Sequence, residues 1–167
     1  MERPGKIEHY LNIALEVGKR SPCLRRRFGA VIVNGDAIIS TGYNGPARGA
    51  PNCVEHGCLK NEKGVAPGLA YDFCRAGPLH AEVNALINAA RHGGGTIGST
   101  IYIAGEYADG RGLSDALPCI ICEKEIINSG IEKIVIRMAD GGIKEFLTKD
   151  LVDEAWDTKD KNIVSFY

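Results

Sequence analysis

Three residues of metal-ligand type, His80, Cys119 and Cys122, stand at two predicted helix starts, and the chain's chemistry depends on bringing those starts together. His80 opens the segment His80-Ala81-Glu82, and the cysteines belong to Pro118-Cys119-Ile120-Ile121-Cys122. Two cysteines with two residues between them place both sulfurs on one side of a first helical turn, a common zinc geometry. A third ligand from the other helix start leaves one coordination position for water. Three protein ligands plus water is the catalytic arrangement of zinc, whereas four protein ligands is the structural one.

Glu82 follows His80 by two residues, so it need not bind the metal and can reach the bound water. Zinc lowers the pKa of that water to about 7, which makes zinc-bound hydroxide available as a nucleophile at neutral pH. A carboxylate beside it takes the water proton and hands it to a leaving amine, which makes Glu82 the candidate proton shuttle. The positive end of a helix dipole favours thiolates at both helix starts. Alone, C-x-x-C fits a redox pair or a structural zinc equally well. Alone, H-x-E says little. In this order, each opening a helix and followed by a strand, they point to one catalytic zinc. The combination is the recognised signature of the zinc nucleobase deaminases.

The pattern along the chain supplies a frame. Apolar residues from Ile7 through Tyr10, Leu11, Ile13, Ala14 and Val17 recur at helical spacing, with Gly18 and Pro22 as the stop. Ala30–Val33 and Ala37–Ser40 are apolar runs joined by Asn34-Gly35-Asp36, which predicts a β-hairpin. Tyr43 to Leu79 reads as a long irregular stretch, and a loop of that length needs a tether or a function. A helix is expected from His80 to the stop at Gly93-Gly94-Gly95. Thr100–Ala104 is expected as a strand, Glu106–Leu117 as a polar loop, Cys119–Ser129 as a helix and Lys133–Arg137 as a strand. A helix near Lys149–Trp156 and a strand at Ile163–Phe166 would complete the order. That alternation predicts a sheet sandwiched between helices.

The length of 167 residues suits one domain, read here as a single deaminase domain over 1–167. The net charge of −1 argues against a nucleic-acid backbone as the main partner. It leaves room for a small phosphorylated substrate, which needs one or two well-placed arginines. No stretch approaches the roughly 20 apolar residues that cross a bilayer, and Met1–Lys19 lacks the apolar core of a signal peptide. Six cysteines without an export signal are better read as metal ligands or buried thiols than as a disulfide framework. The expected location is the cytoplasm.

Beyond the two metal motifs, the sequence resembles the cytidine and deoxycytidylate deaminase family from the first helix to about Arg137. The resemblance includes Cys23-Leu24-Arg25-Arg26-Arg27-Phe28-Gly29-Ala30-Val31-Ile32-Val33, Ile38-Ile39-Ser40-Thr41-Gly42-Tyr43-Asn44-Gly45 and Ile126-Ile127-Asn128-Ser129-Gly130-Ile131. It implies a three-layer α/β/α fold, a mixed five-stranded sheet with helices on both faces. It also implies deamination of a cytosine nucleotide, dCMP to dUMP first, by a homo-oligomer. Asn44 would lie near the sugar or base, and arginines beside Cys23 (Arg25, Arg26 or Arg27) would meet the phosphate through bidentate contacts. Ala81 is a further candidate for substrate contact.

Some members of this family carry a second, structural zinc. Cys23, Cys53, Cys58 and Cys74, or three of them with His56, would close such a site and tether the long loop. The alternative is four free thiols, several of them buried as small hydrophobes. The sequence departs from the family at the loop before Pro118, which adds Glu106, Tyr107, Asp109, Arg111 and Asp115 as candidate substrate or lid contacts. That departure keeps two alternatives open: deamination of another amino-heterocycle, such as a purine, pterin or modified nucleotide, and a non-catalytic zinc-stabilised regulatory protein. The presence of Glu82 argues against the second, because a structural zinc needs no such acid.

Overall fold

Alternation along two strands assigns the two faces of the sheet. The computed structural model describes residues 3–66, 69, 74 and 79–156. Strand β1 (Arg26–Asn34) and strand β2 (Ala37–Tyr43) form the predicted hairpin, with the turn at Gly35-Asp36. On β1, Ala30 and Ile32 join one apolar cluster, while Val31 and Val33 join another. Successive strand side chains point to opposite faces, so β1 is buried on both.

Helix α1 (Lys6–Gly18) covers one face. Its buried residues Tyr10, Leu11 and Ala14 pack with Val31, Val33, Tyr102, Ala104 and Val135. The other face carries α4 (Ala81–His92), α5 (Ile120–Asn128) and α6 (Thr148–Trp156). There Ala81, Ala85 and Ile126 meet Ile32, Ile101, Ile103, Ile134 and Ile136. Each fully buried isoleucine of that layer contributes about 1.5–3 kcal/mol relative to exposure.

The sheet is completed by β3 (Thr100–Tyr107), β4 (Lys133–Arg137) and β5 (Ile143–Leu147), in the order β2-β1-β3-β4-β5. Only β3 and β4 run parallel, joined through α5; the other neighbours are antiparallel. This is the expected mixed five-stranded sheet with helices on both faces.

Several boundaries differ from the sequence expectation. The fifth strand is Ile143–Leu147, while the expected strand at 163–166 lies outside the described residues. In β5 the outward residues are mostly exposed, so the strand lacks the apolar run that marks a buried one. The stretch after β2 is not wholly irregular, because it contains α2 (Cys53–His56) and α3 (Leu59–Glu62). Each is a single turn, too short to leave a helical period. Strand β3 also extends through Tyr107, taking Glu106 and Tyr107 out of the expected loop, and Glu106 bridges back to Leu113. No helix among the described residues is long and apolar enough to cross a membrane.

Candidate active site

The starts of α4 and α5 meet above the sheet. His80 is the N-cap of α4 and Cys119 the N-cap of α5; both are extended, and neither side chain caps its own helix. The imidazole and thiol are turned to each other instead. His80 Nδ1 lies 3.5 Å from Cys119 Sγ and 3.3 Å from Cys122 Sγ. The ligand atoms of all three residues fall within 4.8 Å of one another, the group among the described residues arranged to hold a metal ion. A tetrahedral zinc with ordinary Zn–N and Zn–S bonds separates its nitrogen and sulfur ligands by roughly 3.6 Å, so this donor set fits.

The position of α4 follows from the strand beneath it. Gly42 faces the first turn so closely that a Cβ there would meet the Ala81 carbonyl and the Ala85 amide. Asn84 Nδ2 donates to the Tyr43 carbonyl at 2.7 Å, and Asn88 Nδ2 donates to the Thr41 carbonyl at 2.8 Å. Ser40 Oγ donates to the Ala85 carbonyl at 2.5 Å. The two asparagines, one helical turn apart, thus answer alternate outward carbonyls of the sheet's edge strand, and the helix start is held in place.

Glu82 is 6% exposed and lines a cavity of about 250 Å³ together with His80, Ala81 and Cys119. Burial pushes its pKa up to about 6, opposed by its own backbone amide and the nearby His80. A carboxyl titrating near neutrality takes and returns protons efficiently. In the thiol pair, a hydrogen bond from Cys122 pulls Cys119 down to about 4, with His80 assisting. The same contact, with burial, pushes Cys122 up. The two shifts describe one pair that loses its first proton readily and holds the second. Beside the Cys119 thiolate, His80 is raised against the opposing effect of burial.

The other expected residues divide. Arg25, Arg26, Asn44 and Ala81 line the cavity. The Asn44 amide is engaged within the fold: Oδ1 accepts from the Phe28 amide at 2.8 Å, and Nδ2 donates to the Arg26 carbonyl at 3.0 Å. It prolongs the β1–β2 pairing past the last strand residue. Arg27 lies on the α1 face by strand alternation and lines a separate cavity with Lys19, Arg20 and Arg48. Cys23, Cys53, Cys58 and Cys74 line the main cavity, with Cys53 and Cys58 buried, but form no second metal-binding group of the kind His80, Cys119 and Cys122 make among the described residues. None of the four forms a disulfide among the described residues. His56 is not in the cavity wall; its side chain is 54% exposed, 4.0 Å from the Glu55 carboxylate.

Of the loop before Pro118, Asp115 reaches the cavity, and its Oδ1 accepts from the Ala139 amide at 2.7 Å. Ala116 is tied by its amide to the Arg137 carbonyl at 3.2 Å. Sequence reasoning missed Phe28, Ile103, Ala116 and Leu117 as cavity walls, because apolar residues on strands and loops carry no chemical signature. Phe28 had one indirect sign: Gly105 stands opposite it, and a Cβ there would meet the Phe28 ring.

Comparisons with known proteins bear on the family and the fold. A family model described as the cytidine and deoxycytidylate deaminase zinc-binding region matches residues 4–138. The deoxycytidylate deaminase of Schizosaccharomyces pombe is 37% identical over 133 residues, covering 80% of this chain and 37% of that protein. The deoxycytidylate deaminase of Mycobacterium phage D29 is 36% identical over 139 residues, covering 81% of this chain and 96% of that protein. The chain therefore spans well under half of the yeast relative and nearly all of the phage one. The crystal structure of dCMP deaminase from cyanophage S-TIM5 in complex with dCMP and dUMP superposes with a TM-score of 0.62 at 26% identity, covering 92% of this chain and 94% of that one.

Proposed function

Because the chain belongs to the cytidine and deoxycytidylate deaminase family, we propose that it is a zinc-dependent enzyme that hydrolyses dCMP to dUMP and ammonia. The observation that carries the reading is the convergence of His80, Cys119 and the buried Cys122, with His80, Cys119 and the buried Glu82 lining one cavity. His80, Cys119 and Cys122 would hold the zinc, which as a Lewis acid would acidify water at neutral pH. Glu82 takes the proton of the attacking water. It delivers that proton to the ring nitrogen as the new carbon–oxygen bond forms, and then serves the departing ammonia as the carbon–nitrogen bond breaks. Phe28, Ile103 and Ala116 give the cavity apolar walls.

The base and its phosphate rest on the relatives and on cavity chemistry. Arg25, Arg26 and Lys60 bring positive charge to the cavity that Glu82 and Asp115 also line. The Ala81 backbone and Asn44 border the space for the base and sugar. A panel of free bases, nucleosides and monophosphates, with ammonia release as the readout, tests the substrate. Release from dCMP is expected. Release from another heterocycle with none from dCMP rejects it.

The reading includes a second, structural zinc held by Cys23, Cys53, Cys58 and Cys74. Its support is that four cysteines from separate segments converge on one cavity, two of them buried. Metal analysis should find about two zinc per chain, and a ratio near one rejects the second site. The reading extends to a cytoplasmic location and to a homo-oligomer, the assembly being supported by the exposed apolar Leu117, Ile120 and Ile121. Light scattering on the purified protein tests the assembly, and a monomeric mass rejects it.

A further inference from the structure

We propose that Tyr107 is a positioning residue for substrate: its ring holds the Arg26 guanidinium at the cavity wall, where that guanidinium receives the substrate's phosphate. The inference rests on the reading of the chain as a nucleotide deaminase. It selects one arginine among three consecutive ones and identifies what orients it.

The three arginines have different surroundings. Arg27 faces α1, away from the cavity. Arg25 Nη1 donates to the Val65 carbonyl at 3.0 Å, which fixes part of its donor edge within the fold. Arg26 shares its face with Phe28, Ala30 and Ile32 and lines the cavity. Among the described residues its guanidinium has no carboxylate at ion-pair distance and no hydrogen-bond acceptor. What it has is Tyr107, its partner in the β1–β3 register, with the Arg26 Cζ 5.2 Å from the ring centroid.

Tyr107 belongs to the part of β3 that runs past the expected strand end. Its amide donates to the Gly112 carbonyl at 2.9 Å, and the Ala108 amide donates to the Arg25 carbonyl at 3.1 Å. The ring is therefore carried on paired backbone rather than on a loose loop. A second guanidinium, Arg111, lies 4.2 Å from the same ring centroid. Its charge is answered locally, because Arg111 Nε is 2.9 Å from an Asp109 carboxylate oxygen. The charge left for a ligand is that of Arg26.

An aromatic ring engages the flat face of a guanidinium and leaves its N–H edge free. That edge is the part that grips a phosphate by two parallel hydrogen bonds. Holding it in one orientation lowers the entropy lost when the phosphate arrives. Glu82 and the three metal ligands lie on other elements, so the contribution belongs to binding and not to the proton transfers.

The test uses zinc-loaded protein, calorimetric binding of dCMP and of deoxycytidine, and the kinetics of both. Tyr107→Leu should weaken dCMP about three- to tenfold and leave deoxycytidine unchanged, raising KM for dCMP with kcat held within about twofold. Tyr107→Phe keeps the ring and should match the wild type. Arg26→Ala should remove the preference for dCMP over deoxycytidine, and Tyr107→Leu should add nothing in that background. Arg26→Lys, which leaves Tyr107 in place, should lose most of the same preference because an ammonium does not offer the planar fork.

Equal weakening of both ligands by Tyr107→Leu overturns the inference, as does a Tyr107→Phe variant as impaired as Tyr107→Leu. If Tyr107→Leu does not fold, an Arg26→Lys variant that keeps the full preference for dCMP overturns it too. A wild type that binds dCMP more tightly than deoxycytidine but releases ammonia from neither sinks the proposed activity, and the binding pattern of the Tyr107 and Arg26 variants still decides this inference. Equal wild-type binding of the two overturns the inference whichever heterocycle is deaminated.

Discussion

His80, Glu82 and Cys119 reach the cavity from the starts of helices of twelve and nine residues, with Cys122 buried behind them, and α4 is latched to the edge strand by Asn84, Asn88 and Ser40. Cys53, Cys58 and Lys60 reach it from helices of four residues, or from the turns beside them. A helix of one turn cannot sustain itself, since the cost of its nucleus is not recovered by propagation. That second wall depends on outside ties: Arg25 to the Val65 carbonyl, and Lys60 Nζ to the Leu69 carbonyl at 2.7 Å. The difference teaches where each task belongs. Proton transfer tolerates errors of a fraction of an ångström, so its groups sit on docked helices. The wall that closes over a ligand is assembled from short pieces, and cysteines that can share a metal are an economical way to hold them.

The contrast can be broken at each wall. Glu82→Ala should lower turnover by about 10²–10⁴-fold while zinc content stays at the wild-type level. Ammonia release and metal analysis on the same sample check both halves, and undiminished turnover would remove Glu82 from the mechanism. Cys58→Ala should take away one zinc equivalent and several kcal/mol of stability, as loss of a structural zinc does. Its effect on kcat should be smaller than that of Glu82→Ala; an equal loss would show that the two walls are not separable.

Gly42→Ala tests the docking of α4. The added methyl runs into the Ala81 carbonyl and the Ala85 amide, and overpacking of that kind costs about 1–3 kcal/mol. Urea denaturation measures the cost, and kcat should fall with it because His80 and Glu82 ride on the displaced turn. Asn88→Ala sharpens the comparison at its mildest point. Asn88 donates to Thr41 and accepts from Arg48 Nη2 at 2.7 Å, so it joins α4 to the segment that leads to the second wall. Its loss should lower stability by about 0.5–1.5 kcal/mol with little change in zinc content.

How much of this was legible in the sequence depends on the element. The hairpin, α1, α4 and β4 were readable because their apolar residues repeat at a strand or helix period over enough residues to register. Strand β5 was not: Ile143, Lys144, Glu145 and Leu147 are exposed, so pairing with β4 rather than side-chain burial makes it a strand. Helices α2 and α3 are too short for any period. In the site, His80, Glu82, Cys119 and Cys122 were readable because metal chemistry demands particular atoms at fixed spacing. Arg25, Arg26 and Arg27 were indistinguishable as a run of like charges until the strand register turned Arg26 toward the cavity and Arg27 away from it.

The sequence by itself determined the donor atoms, the carboxylate beside them and the periodicities that make a layered sheet and helices, because these are properties of residue type and spacing. Only the tertiary structure decided that the starts of α4 and α5 meet, that Phe28 and Ala116 wall the space, and that Tyr107 stands across from Arg26. Those facts depend on strand order, register and the close approach at Gly42 and Gly105, which bring together residues far apart in the chain.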